Sequence, residues 1–285
     1  MKLYLTTFLL LATLTLSARI TTVTHLDRPH FRITTRTATY LYDIAGGGFS
    51  SIIDRLGNDW VAHQREPWDQ YPASAASSYR GVPNFVFRSA DNGAGHPGWD
   101  QCQSRIVGRN KIHTISTSGK WAWTVTFYPN CARFDVVESD PEHPYWFLYE
   151  GPAGGSYQPE TTYWATDVSD PSYQLYDHYR GGVYEGLHRY MFFGENQSPY
   201  SLFMLQKEVD EQVDHISYLG NAEVGAAESP DGMVVAGLGR GPDSTPLLTG
   251  PNTFLIGLLP YNLSDPIQLL KARSRLTKIA SRRTR

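Results

Sequence analysis

Three groupings of side chains in this sequence are of types that move protons or neutralise a carboxylate. The first lies between His63 and Arg105, where strand-like patterning is poor: Tyr79, Arg80 and Asn84 fall in SSYRGVPN, and His96 and Trp99 in GHPGW. A loop section this long within a compact domain is uncommon and often functional. Arg80 could clamp a carboxylate through its planar fork of donors, Asn84 could hydrogen-bond the same group, and His96 could exchange a proton near neutral pH. The plainer assignment is an internal ion pair for Arg80, a capped turn at Asn84 and a bend at His96-Pro97-Gly98.

The second grouping is Tyr173–Glu195, YQLYDHYRGGVYEGLHRYMFFGE, which crowds histidines, tyrosines and arginines into a few turns and one strand. A strand starting near Leu187 puts His188 and Tyr190 on one face and Arg189 on the other, because side chains alternate along a strand. That pair, or Tyr184 just ahead of it, could supply a base and an acid; otherwise these are ordinary sheet-surface residues. The third is YWFLYEGPAGG, Tyr145–Gly155. Glu150 ends an aromatic strand there, while Tyr145 and Trp146 could stack on sugar rings or simply fill a core.

Other chemistries lack their signatures. There is no GxSxG, no HExxH, no P-loop and no CxxC, and Gly46-Gly47-Gly48 lacks the strand-to-helix setting of a dinucleotide fingerprint. The nine histidines are scattered rather than set at ligand spacing, and no Asp-rich calcium loop occurs. No metal and no cofactor are expected.

The elements that must position these groups are strands. Runs rich in Thr, Val, Ile and aromatics recur at Phe31–Tyr42, Phe49–Asp54, Asn84–Arg88, Ile112–Thr117, Trp121–Tyr128, Ala132–Glu138, Tyr145–Glu150, His188–Phe193, Ser201–Gln206, Met233–Leu238 and Thr253–Leu259, with Gly, Pro, Asn or Asp between them. In Trp121–Tyr128 the alternation sets Trp121, Trp123, Val125 and Phe127 on one face. Many strands without intervening helices predict an all-β fold, a large antiparallel β-sandwich or barrel, with Pro266–Ala280 as the main helical stretch. One domain is expected over residues 19–265, followed by a basic tail over 266–285.

Residues 1–18, MKLYLTTFLLLATLTLSA, have the lysine, apolar run and small-residue exit of a cleavable signal peptide, and no other run is long enough to span a bilayer. A secreted protein without a membrane anchor is therefore expected. That compartment permits a bond between Cys102 and Cys131, which by loop entropy contributes roughly 3 to 4 kcal/mol, and glycans on the sequons at Asn196 and Asn262. The net charge of −3 hides an asymmetry: Lys271–Arg285 carries seven basic and no acidic residues, leaving 18 basic against 28 acidic elsewhere, a net of −10. Such a tail is commonly a solvated appendage, and an acidic body argues against nucleic acid as a partner. Aromatic residues make up 13% of the chain and charged residues only 19%, a balance that suits stacking on sugars and equally suits cross-strand pairs.

With SSYRGVPN, GHPGW, GKWAW, YWFLYEGPAGG and GPNTFLIGL in a strand-rich chain of this size, the sequence resembles secreted carbohydrate-active proteins of the galactose-mutarotase-like β-supersandwich class, which includes domains of polysaccharide lyases. The resemblance implies a sandwich with a carbohydrate groove on one sheet. In such lyases an Asn, a His, a Tyr and an Arg form the working set, and the counterparts here are Asn84, His96, Tyr184 or Tyr190, and Arg80 or Arg189; the chain is too short for the helical toroid many of them add. The expected chemistry is β-elimination at a uronic acid in a polysaccharide or oligosaccharide, with His96, Tyr184, His188 and Tyr190 as acid–base candidates and Tyr79, Arg80, Asn84, Trp99, Glu150 and Arg189 holding substrate. Two alternatives remain open: a glycoside hydrolase using Glu150 and Glu185, and a lectin-like binder with Trp68, Trp99, Trp146 and Trp164 as platforms.

Overall fold

A computed structural model describes residues 19–65 and 77–281; residues 1–18, Trp68 and the last four residues lie outside them. The strands are β1 (Arg19–His25), β2 (Arg28–Thr34), β3 (Thr39–Asp43), β4 (Phe49–Ile53), β5 (Cys102–Gly108), β6 (Lys111–Ser116), β7 (Ala122–Tyr128), β8 (Cys131–Glu138), β9 (Phe147–Gly151), β10 (Thr162–Thr166), β11 (Tyr184–Gly186), β12 (Tyr190–Glu195), β13 (Ser201–Gln206), β14 (Asp214–Leu219), β15 (Met233–Leu238), β16 (Arg240–Gly241), β17 (Thr245–Pro246) and β18 (Thr253–Leu259), followed by helix α1 (Pro266–Ser281). They form an antiparallel meander β1-β2-β3-β4, an eight-stranded sheet β10-β12-β13-β18-β8-β7-β6-β5, a four-stranded sheet β11-β14-β15-β9 and the small pair β16-β17. The all-β sandwich expected from the strand pattern is what forms.

Side-chain alternation decides how the layers stack. Met191 and Phe193, Leu202 and Met204, and Phe254, Ile256 and Leu258 point from the eight-stranded sheet into a central core, where they meet Phe147, Tyr149, Val234, Ala236, Ile216 and Tyr218 from the four-stranded sheet. Trp121, Trp123, Val125 and Phe127 join the same core, as their alternation requires. The opposite residues of the eight-stranded sheet, among them Tyr190, Phe192, Phe203, Leu205 and Leu255, are covered by Leu269, Ala272 and Leu276 of α1. Strands buried on both faces read as continuous apolar runs. As far as Ser281 the basic C-terminal stretch is thus a packed helix rather than an appendage, because Leu269, Ala272 and Leu276 recur at helical spacing and have an apolar sheet face to cover.

Several local expectations are corrected. FRITTRTATYLY is two strands, since Thr35 turns the chain by bonding Ala38 through both its backbone N–H (2.8 Å) and its hydroxyl (3.0 Å). Asn84–Arg88 is no strand, because Asn84 and Arg88 both adopt positive φ. Cys102 and Cys131 are not bonded. Cys102 faces Ser116 where β7 begins, Cys131 faces Tyr128 where β7 ends, and the seven residues of β7 span roughly 20 Å, whereas a disulfide needs its Cα atoms within about 7 Å. The two thiols also sit in different cores, and burial pushes each up to about 12. Thiol titration of the denatured protein without reductant should count two free thiols; a count of zero would restore the bridge.

Candidate functional site

A cleft of about 490 Å³ opens on the outer face of the four-stranded sheet. Register shows why its floor is built as it is: Glu150 pairs with Val235 and Val235 with Ser217, so these three point the same way, together with Leu148, Leu219 and His215 two residues along their strands. Leu148, Leu219, Val235 and Trp146 make an apolar floor that Tyr79 and Phe87 join from above. Phe87 stacks on Trp146 with ring centroids 4.9 Å apart.

The SSYRGVPN segment reaches this floor by adding itself to the free edge of β9. Gly81 and Glu150 exchange two backbone hydrogen bonds of 2.9 Å, and the Leu148 N–H donates to Pro83 O at 2.8 Å. A Cβ at Gly81 would stand 2.5 Å from Asn84 Oδ1 and 2.6 Å from Pro97 Cδ, so only glycine permits this approach. Asn84, at φ 43°, turns its amide so that Nδ2 donates to Glu150 Oε2 at 2.5 Å. Asn tolerates that left-handed conformation better than most residues.

Glu150 is therefore a carboxyl set into an aromatic floor. Burial pushes its pKa up to about 7, opposed by the positive charge of Arg240 and by the Asn84 hydrogen bond. Arg240, from β16, lies buried over the Trp146 ring at 5.5 Å and donates to Ser244 Oγ at 2.8 Å. His178 lines the same cleft from a short 3-10 turn, His178–Arg180, which begins where Asp177 accepts from the Tyr179 N–H at 3.1 Å. Burial, then Arg240, lowers His178. His215 stands 6.1 Å from it, ring to ring, and is pushed down to about 3 by burial, Arg240 and His178. Tyr79, His96 and Trp99 complete the rim. A proton-exchanging carboxyl, a fixed cation, an amide and imidazoles facing one apolar cleft can bind a small polar molecule and move its protons.

Of the residues singled out from sequence, Tyr79, Asn84, His96, Trp99 and Glu150 converge here. His96 lines the cleft with both ring nitrogens against carbonyl oxygens, those of Pro97 (2.5 Å) and Tyr79 (2.9 Å), which makes it a brace for the rim. Arg80 turns away: its guanidinium donates to Asp231 O (2.6 Å), Gly232 O (3.0 Å) and Ala62 O (3.4 Å), tying three loops from inside. The second grouping disperses because no strand runs from Leu187 to Tyr190. Tyr184 belongs to β11 of one sheet and Tyr190 to β12 of the other, buried under α1. Tyr184 packs on Trp164 at 4.4 Å and on His188 at 5.6 Å, the His188 ring being enclosed beside Asp167. Arg189 donates to Lys207 O at 2.7 Å and to Ala280 O at 3.4 Å, away from the cleft.

Glu185 shares the outer face with Glu150 but lies three strands away, roughly 14 Å, beyond the 6.5–9.5 Å of an inverting pair. That geometry removes the two-carboxylate hydrolase. Trp164 is buried, so of the described platform candidates only Trp99 and Trp146 face the cleft. Asn262 Nδ2 donates to Asn196 O (2.7 Å) and Ser198 O (3.0 Å), which ties its side chain to the turn that carries Asn196. Asp140, Glu142 and His143 bring their ligand atoms within 4.8 Å of one another, but Lys120 and His143 already bind Asp140, whose pKa falls to about 2 chiefly through Lys120.

Arg240 and His215 went unnoticed in the sequence. The signals were present: GRGP, where Gly239 and Gly241 bracket a lone arginine, and DHISYL, whose alternation puts His215 and Ser217 on one face.

No protein-family model matches the chain, and no curated protein matches it. Among solved structures the chain is similar to a proposed mutarotase from Salmonella typhimurium, with a TM-score of 0.52 and 8% identity over 84% of this chain and 93% of that one. It is likewise similar to a galactose mutarotase-like protein from Lactobacillus casei, with a TM-score of 0.52 and 10% identity over 81% of this chain and 100% of that one. At such identities the likeness concerns architecture, and the architecture here is the galactose-mutarotase-like β-sandwich.

Proposed function

We propose that the cleft binds a saccharide and transfers protons on it, with Glu150 as the exchanging group. The observation that carries this reading is the Glu150 carboxyl, raised to about 7 at the floor of an aromatic-walled cleft. A group poised near operating pH both accepts and returns a proton efficiently. The reaction that fits best is anomer interconversion of an aldose. Glu150 takes the proton of the anomeric hydroxyl, His178 donates one to the ring oxygen, the C1–O5 bond opens to the aldehyde, and the reverse steps close the ring on its other face. Arg240 and Asn84 hold the charge that develops on the oxygens, and Trp99 offers a ring for the apolar face of the sugar.

A second reading, β-elimination at a uronic acid, draws on Asn84 and Arg240, which line the cleft together with Glu150. They would neutralise the uronate, Glu150 would remove the C5 proton and Tyr79 would protonate the leaving oxygen. Export with loss of residues 1–18, and a glycan at Asn196, belong with either reading.

Exchange NMR of equilibrating aldoses, run beside ultraviolet detection of unsaturated uronate on acidic glycans, separates the two. Accelerated anomer exchange that Glu150→Gln lacks supports the first; unsaturated products support the second. Sugar binding with neither reaction would make the protein a lectin-like binder.

A further inference from the structure

The basic helix α1 has no part in the cleft chemistry, yet it presents a distinct outer face. Ile267, Leu270, Lys271, Ser274, Arg275 and Lys278 recur at spacings of three and four residues and so lie on one side. They line a shallow depression with Tyr261. Ile267 and Leu270 are 64% and 65% exposed, although the inward side chains Leu269, Ala272 and Leu276 have the sheet to cover them. The fourth cation, Arg273, is engaged by Asp170 and by the carbonyls of Thr166 and Ser169. No ion pair among the described residues involves Lys271, Arg275 or Lys278.

Two exposed aliphatic side chains beside a row of cations, on a body of opposite net charge, have the composition of an interfacial helix. We propose that α1 docks the protein on an anionic phospholipid surface, with Lys271, Arg275 and Lys278 among the headgroups and Ile267 and Leu270 entering the interface. A polyanionic glycan would satisfy the cations but gives the two aliphatic side chains nothing to bury against. Because α1 covers the outer face of the eight-stranded sheet and the cleft opens on the outer face of the four-stranded sheet, docking turns the cleft toward solvent.

The test is co-flotation of the full chain with phosphatidylserine-containing vesicles and with pure phosphatidylcholine vesicles. Each comparison is between chains bearing the same N-terminal residues, so differences read α1. Binding should favour the anionic vesicles and weaken with added salt. Lys271→Gln, Arg275→Gln and Lys278→Gln together should lower partitioning about a hundredfold, roughly fivefold for each cation. Ile267→Ser with Leu270→Ser should lower it about tenfold, and since these positions lie on the outer face, thermal unfolding should not move. Equal binding to both vesicle types, or unchanged binding by the basic-face variant, would overturn the proposal. So would retention on an acidic polysaccharide that Ile267→Ser with Leu270→Ser leaves intact.

Discussion

Glu150→Gln is expected to lower turnover on the cognate sugar by about 10²- to 10⁴-fold, the usual share of one acid–base group, while the sandwich folds as before. Gln keeps the shape of the carboxyl, and its oxygen still accepts from Asn84 Nδ2. For the intact enzyme, kcat/KM should be bell-shaped in pH, because the step needs Glu150 ionised, which is favoured above about 7, and His178 protonated, which burial and Arg240 oppose as pH rises. The same substitution has a second readout of opposite sign. Glu150 is raised from 4.5 to about 7 in the folded chain, so the folded state holds its proton more tightly than the unfolded one. Its contribution to stability is present below about 4.5 and is lost as pH climbs to about 7. The Gln variant should therefore match the parent at pH 4 and exceed it at pH 8 by something of order 3 kcal/mol, as urea unfolding at the two pH values would show. A variant as active as the parent would remove Glu150 from the chemistry; a variant inactive but without the pH-dependent stability difference would place its carboxyl in water.

Arg80→Ala carries the largest expected cost in stability among the residues singled out. Arg80 is 5% exposed and its guanidinium ties the carbonyls of Asp231, Gly232 and Ala62, so its removal leaves acceptors without donors inside the protein. Losses of this kind are worth about 1 to 3 kcal/mol for each stranded group, and a total on the order of 3 kcal/mol is expected in urea unfolding. At temperatures where the variant stays folded, KM should change little. A raised KM with unchanged stability would instead return Arg80 to the role of substrate clamp.

The contrast between these two residues shows how far the sequence could be read. Strand identity was legible wherever one face is core, as along Trp121–Tyr128, and the all-β class follows from many such runs. A helix over Pro266–Ala280 was legible too, but not that Leu269, Ala272 and Leu276 pack it on a sheet face. What stayed hidden is set by long-range pairing. SSYRGVPN contains Asn84, which lines the cleft, but whether Arg80 or Asn84 faces it depends on which backbone groups of Gly81 meet β9, a partner 69 positions along the chain. His188, Arg189 and Tyr190 looked like a cluster because they are adjacent, and the chain passes between two sheets just there. Arg240 is a single charge between two glycines, and only the fold brings it near Glu150.

The pairing of Gly81 with Glu150 has one more consequence. β9 is the last strand of its sheet, and an uncovered last strand offers its N–H and C=O groups to any other extended chain. The segment that carries Asn84 to the cleft is also what shields that edge, so dislodging it unmakes the site and bares a template for self-association at once. Substitutions that loosen Gly81–Asn84 belong in concentration-dependent aggregation assays as much as in activity assays, and the two losses should appear together.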